Sequence, residues 1–191
     1  DNFTYNLDTQ LETLFPKPWD DDRFYLFGKK EALDSPGEWY FDPKTNALFI
    51  YLAEGEHPEQ QTLSFKKRDY GMQMQNQAYI HISGIHFMAC TVKFENCENI
   101  KFENCTLTYP SYNRLLTETN PIKTRAVGIA TEISGNNNTI SNIELSYANT
   151  LGISVKGAQN LIENCVIHDV NWVGSVNYPA IKIESLEGKK G

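Results

Sequence analysis

Four short stretches of the chain share one pattern: Ile82-Ser83-Gly84-Ile85-His86-Phe87, Phe102-Glu103-Asn104-Cys105-Thr106-Leu107, Ile140-Ser141-Asn142-Ile143-Glu144-Leu145 and Ile162-Glu163-Asn164-Cys165-Val166-Ile167. Each reads apolar, polar, Asn or Gly, apolar, variable, apolar. Their first residues lie 20, 38 and 22 positions apart, so a unit of roughly twenty residues recurs and one copy carries a large loop. A period in this range predicts a stacked solenoid, in which each coil buries its apolar face against its neighbours.

Apolar residues at i, i+2 and i+5 around an Asn fit two very short strands separated by a bend, whereas a helix needs them at i, i+3, i+4 and i+7. Asn adopts left-handed backbone angles at low cost and hydrogen-bonds its own kind, so Asn104, Asn142 and Asn164 are expected to stack at one corner, with Gly84 filling the same position. A second strand column is read upstream: Val92-Lys93-Phe94-Glu95, Ile129-Ala130-Thr131-Glu132, Ile153-Ser154-Val155-Lys156 and Ile181-Lys182-Ile183-Glu184. Assembled, one coil is a strand, a turn containing Gly or Asn, a second strand, the Asn bend, a third strand and a loop of variable length. The expected fold is all-β, a right-handed parallel β-helix with three strands per rung.

On the repeated Ile/Phe-x-Asn-Cys/Ile-x-Leu/Ile unit, and on Val166-Ile167-His168-Asp169 followed by Ala180-Ile181-Lys182-Ile183, residues 77 to 188 resemble the pectate-lyase-like β-helix superfamily. That resemblance implies a secreted, periplasmic or cell-surface bacterial protein acting on polysaccharide. It names no reaction, because one such scaffold hosts hydrolases, lyases, epimerases and inert spikes.

The predicted organisation is an N-terminal segment, residues 1–76, followed by β-helix rungs over 77–191. The chain starts at Asp1 without Met and stops at Gly191 just after a rung begins at Ala180, which predicts a segment of a longer solenoid. A net charge of −7, with no basic cluster beyond Lys66-Lys67-Arg68, speaks against nucleic acid, whose phosphates require a basic stripe. No apolar run is long enough to insert across a bilayer.

The four cysteines read as thiols. Cys105 and Cys165 occupy one inward slot with Ile143 between them, so at roughly 4.8 Å per rung they are too far apart to bridge. Cys90 and Cys97 could in principle pair.

In the N-terminal segment, residues 38 to 52 hold two aromatic-rich β runs around Asp42-Pro43-Lys44-Thr45-Asn46, the chemistry of a hairpin turn. The phrase from Leu33 to Asp42 resembles one that recurs in large bacterial β-helix proteins. Asp20-Asp21-Asp22 could bind a divalent cation or form a solvated turn.

A filled interior leaves chemistry to outward side chains and flanking loops. The upstream strands, as aligned above, place Glu132, Lys156 and Glu184 in one outward column, with Ala130, Ser154 and Lys182 beside it. Two carboxylates two rungs apart sit at the wide edge of the spacing for inverting glycoside hydrolysis. The competing reading is a cross-strand charge ladder.

The loops leaving the third strand form a second candidate. They bring Tyr109, Tyr112, Tyr147, Trp172 and Tyr178 to one rim as flat faces for sugar rings, with Asn113, Arg114, Asn149 and Asp169 as hydrogen-bonding partners. There His168-Asp169 is the proton-handling pair, unless Asp169 caps backbone N–H groups and His168 packs on Trp172. Arg114, Lys123 and Arg125 could meet an anionic polysaccharide. His81 and His86 read as surface residues.

Four readings follow. The first is a glycoside hydrolase acting on a polysaccharide or oligosaccharide through Asp169, Glu132, Glu184 and His168, with no metal or other cofactor. A lyase would instead use Lys156, Lys182 or Arg125 as base, with Ca²⁺ as its possible cofactor. A non-catalytic glycan-binding or adhesion segment would cleave nothing, and the rungs seen here could also be scaffold for a site in further rungs.

Overall fold

The computed structural model describes residues 28–111, 130–171 and 179–185. They belong to two compact units, one within Asp1–Ser64 and the other within Phe65–Gly191.

In the first unit, β1 (Trp39–Asp42) pairs antiparallel with β2 (Ala47–Ile50), Trp39 opposite Ile50 and Asp42 opposite Ala47. Asp42 shapes the turn. Its carboxylate accepts the Lys44 N–H at 2.9 Å and the Thr45 hydroxyl at 2.8 Å, and Asn46 closes the loop with a φ of 54°. These bonds hold the Asp42 carboxyl below its ordinary value, the Lys44 N–H first. Tyr40 and Phe49 stack on one face at 6.3 Å, with the Lys30 ammonium 3.9 Å from the Phe49 ring centre.

The second unit is a three-sided parallel β-helix. Its strands in chain order are β3 (Tyr70–Gln75), β4 (His81–Ser83), β5 (His86–Met88), β6 (Thr91–Glu95), β7 (Lys101–Glu103), β8 (Thr106–Thr108), β9 (Thr131–Ser134), β10 (Thr139–Ser141), β11 (Glu144–Ala148), β12 (Ile153–Lys156), β13 (Leu161–Glu163), β14 (Val166–Val170) and β15 (Ile181–Glu184). Every third strand joins one sheet: β15-β12-β9-β6-β3 on the first side, β13-β10-β7-β4 on the second and β14-β11-β8-β5 on the third. The solenoid strands begin at Tyr70, ahead of residue 77, and β3 pairs with β6 across a bulge at Gly71.

The strands are short because left-handed residues end them. Gly84, Asn104, Asn142 and Asn164 have φ of 74°, 54°, 52° and 51°, so the chain turns at each without leaving its rung. The Asn142 amide donates to Asn104 Oδ1 at 3.3 Å, and the Asn104 amide donates to Ser83 Oγ at 3.1 Å. The expected corner column therefore exists.

Between the first and second sheets lies an inward polar column. Asn138, 1% exposed, donates to Cys97 O and accepts from the Ile100 N–H, while its own backbone N–H donates to Asn160 Oδ1. A buried amide is tolerated here because its groups are paired.

Apolar side chains fill the rest of the interior in files. Ile82, Phe102, Ile140 and Ile162 form one file, and Phe87, Leu107, Leu145 and Ile167 another. Phe102 packs edge-on against both Phe94, at 5.7 Å, and Phe87, at 6.2 Å. Burying each such side chain contributes about 1.5–3 kcal/mol. All four cysteines are free thiols. Cys105, Ile143 and Cys165 follow one another in the same column, linked by Glu144 N–H to Cys105 O and Val166 N–H to Ile143 O.

The third rung departs from the alignment read in the sequence. Ile153 faces Thr131, and Ser154 faces Glu132, so β9 is displaced by two residues from the run Ile129–Glu132. Two features set this register. The buried hydroxyls of Thr91 and Thr131 meet at 2.7 Å, and Gly135 and Gly157 stack where no Cβ fits. The spacing of 22 between Gly135 and Gly157 equals that between Asn142 and Asn164, whereas the sequence alignment gave this strand a spacing of 24.

Candidate functional site

Because of that register, Glu132 does not share a column with Lys156 and Glu184. Outward along the first sheet, one column runs Lys93, Glu132, Ser154, Lys182, and the next runs Glu95, Ser134, Lys156, Glu184. The Lys156 ammonium lies 3.3 Å from Glu184, the Lys182 ammonium 2.8 Å from it, and Lys93 lies 2.7 Å from Glu95. Lys182 first, then Lys156, hold the Glu184 carboxyl below its ordinary value. Glu95 in the same way raises Lys93. On this face Lys93 pairs with Glu95, and Lys156 and Lys182 both pair with Glu184, one contact across strands and the others along a strand.

Another left-handed column lies toward the C-terminal ends of the third-sheet strands. Ala89, Tyr109, Tyr147 and Asp169 each follow paired residues of β5, β8, β11 and β14, with φ of 55°, 54°, 59° and 50°. Left-handed angles at tyrosine cost about 1–2 kcal/mol each, and such residues gather where the surroundings use the conformation. The consequence here is local. In a regular strand consecutive side chains point to opposite faces, but the turn at Asp169 brings its carboxylate onto His168, Oδ2 to Nδ1 at 2.7 Å.

The same corner assembles the aromatics. Tyr109 and Tyr147 stack at 5.1 Å with 23° between their planes, and His168 meets Tyr147 nearly edge-on at 6.2 Å and 70°. One face of Tyr147 is thus covered by Tyr109, with His168 beside the ring. Glu144, on β11, reaches to 3.8 Å from His168 Nε2. Asp169 first, then Glu144, raise the His168 pKa, and the ring remains half exposed.

The structure therefore sorts the candidate residues into two groups. His168, Asp169, Tyr109 and Tyr147 meet at the third-sheet corner. Glu132, Glu184, Lys156 and Lys182 lie on the outward face of the first sheet, and Lys156 and Lys182 both pair with Glu184. Tyr112, Arg114, Arg125, Trp172 and Tyr178 lie outside the described residues, as do Asn113, Lys123 and the aspartates 20 to 22.

Glu144 was missed by sequence reading, which searched the loops after the third strand and not the strand itself. The signal was present: Glu144 follows the Asn corner by two residues, and Tyr109, Tyr147 and Asp169 follow it by five. His81 has a partner of its own, Glu103 at 2.7 Å, and His86 bonds Thr106. Among the described residues no group of three or more His, Cys, Asp or Glu could hold a metal ion, and no helix is long and apolar enough to cross a membrane. No family model matches the chain, and no significant match to it is found among curated proteins or solved structures.

Proposed function

We propose that this protein is carbohydrate-active and hydrolyses a glycosidic bond in a polysaccharide or oligosaccharide at the corner of Tyr109, Tyr147, His168 and Asp169. The observation that carries this reading is the His168 imidazole, bonded to Asp169 and seated against the stacked tyrosines on an exposed surface. Glycoside cleavage needs a proton for the leaving oxygen and a carboxylate near the anomeric carbon. A protonated imidazole supplies the first; Asp169, bonded to His168 at 2.7 Å, orients that proton donor, because a carboxylate in contact with the acid does not also stand across the scissile bond. Tyrosine hydroxyls are suited to sugar hydroxyls, and tyrosine ring faces to sugar C–H groups. A pectate-lyase-like origin, and a secreted, periplasmic or cell-surface location where polysaccharide is met, accompany this reading.

Lyase chemistry draws less support. Of its candidate bases, Lys156 and Lys182 are both paired with Glu184, so a proton-abstracting amine there would first have to give up an ion pair, while Arg125 lies outside the described residues. A polysaccharide panel, run with and without Ca²⁺, separates the readings through reducing ends and through absorbance of unsaturated products. Reducing ends alone are expected. Both signals together would establish a lyase, and retention in a glycan-loaded gel with neither signal would establish a binding segment.

A further inference from the structure

The His168 ring has a carboxylate at each nitrogen: Asp169 Oδ2 at 2.7 Å from Nδ1, from its own strand, and Glu144 Oε1 at 3.8 Å from Nε2, from the rung before. A neutral imidazole carries one N–H and one lone pair, so whichever nitrogen is unprotonated turns its lone pair toward a negative oxygen. Only the imidazolium offers a proton to both carboxylates at once.

From this geometry we infer that Glu144 is a positioning residue of the corner, clamping His168 together with Asp169 as a doubly protonated imidazolium. Tyr147 is a further described neighbour of the ring, its centroid 6.2 Å away. Glu144 itself is 61% exposed, so it acts through charge and orientation and contributes little packing.

The inference assigns a direction to the proton. A ring held as a cation donates. It protonates a leaving oxygen, or hydrogen-bonds sugar hydroxyls and anionic groups, and it is the wrong state to abstract a proton from a sugar carbon. It deepens the reading of this corner as a carbohydrate site, yet its test needs no glycan.

The test is ¹⁵N and ¹³C spectroscopy of the histidine rings. In the unmodified chain at neutral pH, His168 should show two protonated nitrogens. In E144Q the neutral form should appear at lower pH than in the unmodified chain, and in E144Q/D169N at lower pH again. E144D, which keeps the charge on a shorter arm, should recover part of the change, and E163Q should leave the titration unchanged. A singly protonated ring at neutral pH in the unmodified chain, or an E144Q titration that superimposes on it, would overturn the clamp. The first of these needs no variant, so a poorly folding substitution does not shield the idea. A doubly protonated ring in a chain that engages no glycan would instead remove the carbohydrate reading and leave the clamp standing.

Discussion

Thr91 and Thr131, on adjacent rungs, bring their hydroxyl oxygens within 2.7 Å of each other, both residues fully buried. Removing one partner strands the other in an apolar interior, whereas removing both leaves nothing unsatisfied. Thr131→Val and Thr91→Val should therefore each cost about 1–3 kcal/mol in urea unfolding, and the double variant should cost clearly less than the sum. Additive losses would mean that the pair does not act as a unit.

Gly135 and Gly157 hold φ of 125° and 130°, and a Cβ at either would lie 1.9 Å from a backbone oxygen, Cys97 O or Gly135 O. No rotamer change relieves a clash with backbone. Gly135→Ala is expected to destabilise the solenoid by about 3 kcal/mol or more, read as a drop in the urea midpoint. Gly84→Ala has open space at its φ of 74° and should cost about 1 kcal/mol.

Glu184 ties β15 to β12 through Lys156. Because its folded-state carboxyl is held below the ordinary value, its contribution is present above the unfolded-state pKa and is lost as the pH falls through the folded one. Hydrogen exchange of the β15 amides should accelerate over that acidic window in the unmodified chain. In E184Q this step should be absent, and a step that persists would point to another carboxylate.

His168 carries the opposite sign. Its folded-state pKa is raised, so what it contributes is complete below the unfolded value and is lost as the pH rises through the folded one. Amide exchange in β14 should quicken as the pH rises above the ordinary imidazole value and through the raised one, and D169N should move the step to lower pH. A step at unchanged pH in D169N would contradict the assignment of Asp169 as the main cause.

Tyr147 pairs a left-handed backbone with a stacked ring. Tyr147→Asn relieves the backbone cost of about 1–2 kcal/mol and loses a stack worth about 0.5–1.5 kcal/mol, so the unfolding midpoint should stay within about 1 kcal/mol of the parent. Glycan retention or cleavage should nevertheless fall by about tenfold, as expected when a binding contact of roughly 1.4 kcal/mol is removed. Equal loss of stability and of glycan engagement would make the ring structural.

Much of this architecture is written in short-range chemistry. Asn104, Asn142 and Asn164 mark the corner because Asn accepts a left-handed backbone, the alternation around them separates inside from outside, and Asp42 with Asn46 defines the hairpin turn. Coil spacing alone puts Cys105 and Cys165 in one column. These are local properties, and a local reading recovers them.

Register and convergence were decided elsewhere. The placement of β9 depends on the Thr91–Thr131 bond and on the Gly135–Gly157 approach, contacts between coils that no strand pattern contains, and a two-residue slip preserves alternation perfectly well. That slip separates Glu132 from Lys156 and Glu184. The clamp on His168 likewise needs Asp169 turned back by its own left-handed backbone and Glu144 delivered from 24 positions earlier in the chain. Sequence determined which residues the solenoid could stack; only the stacked coils, by setting angstrom distances between residues remote in the chain, chose which charges would meet.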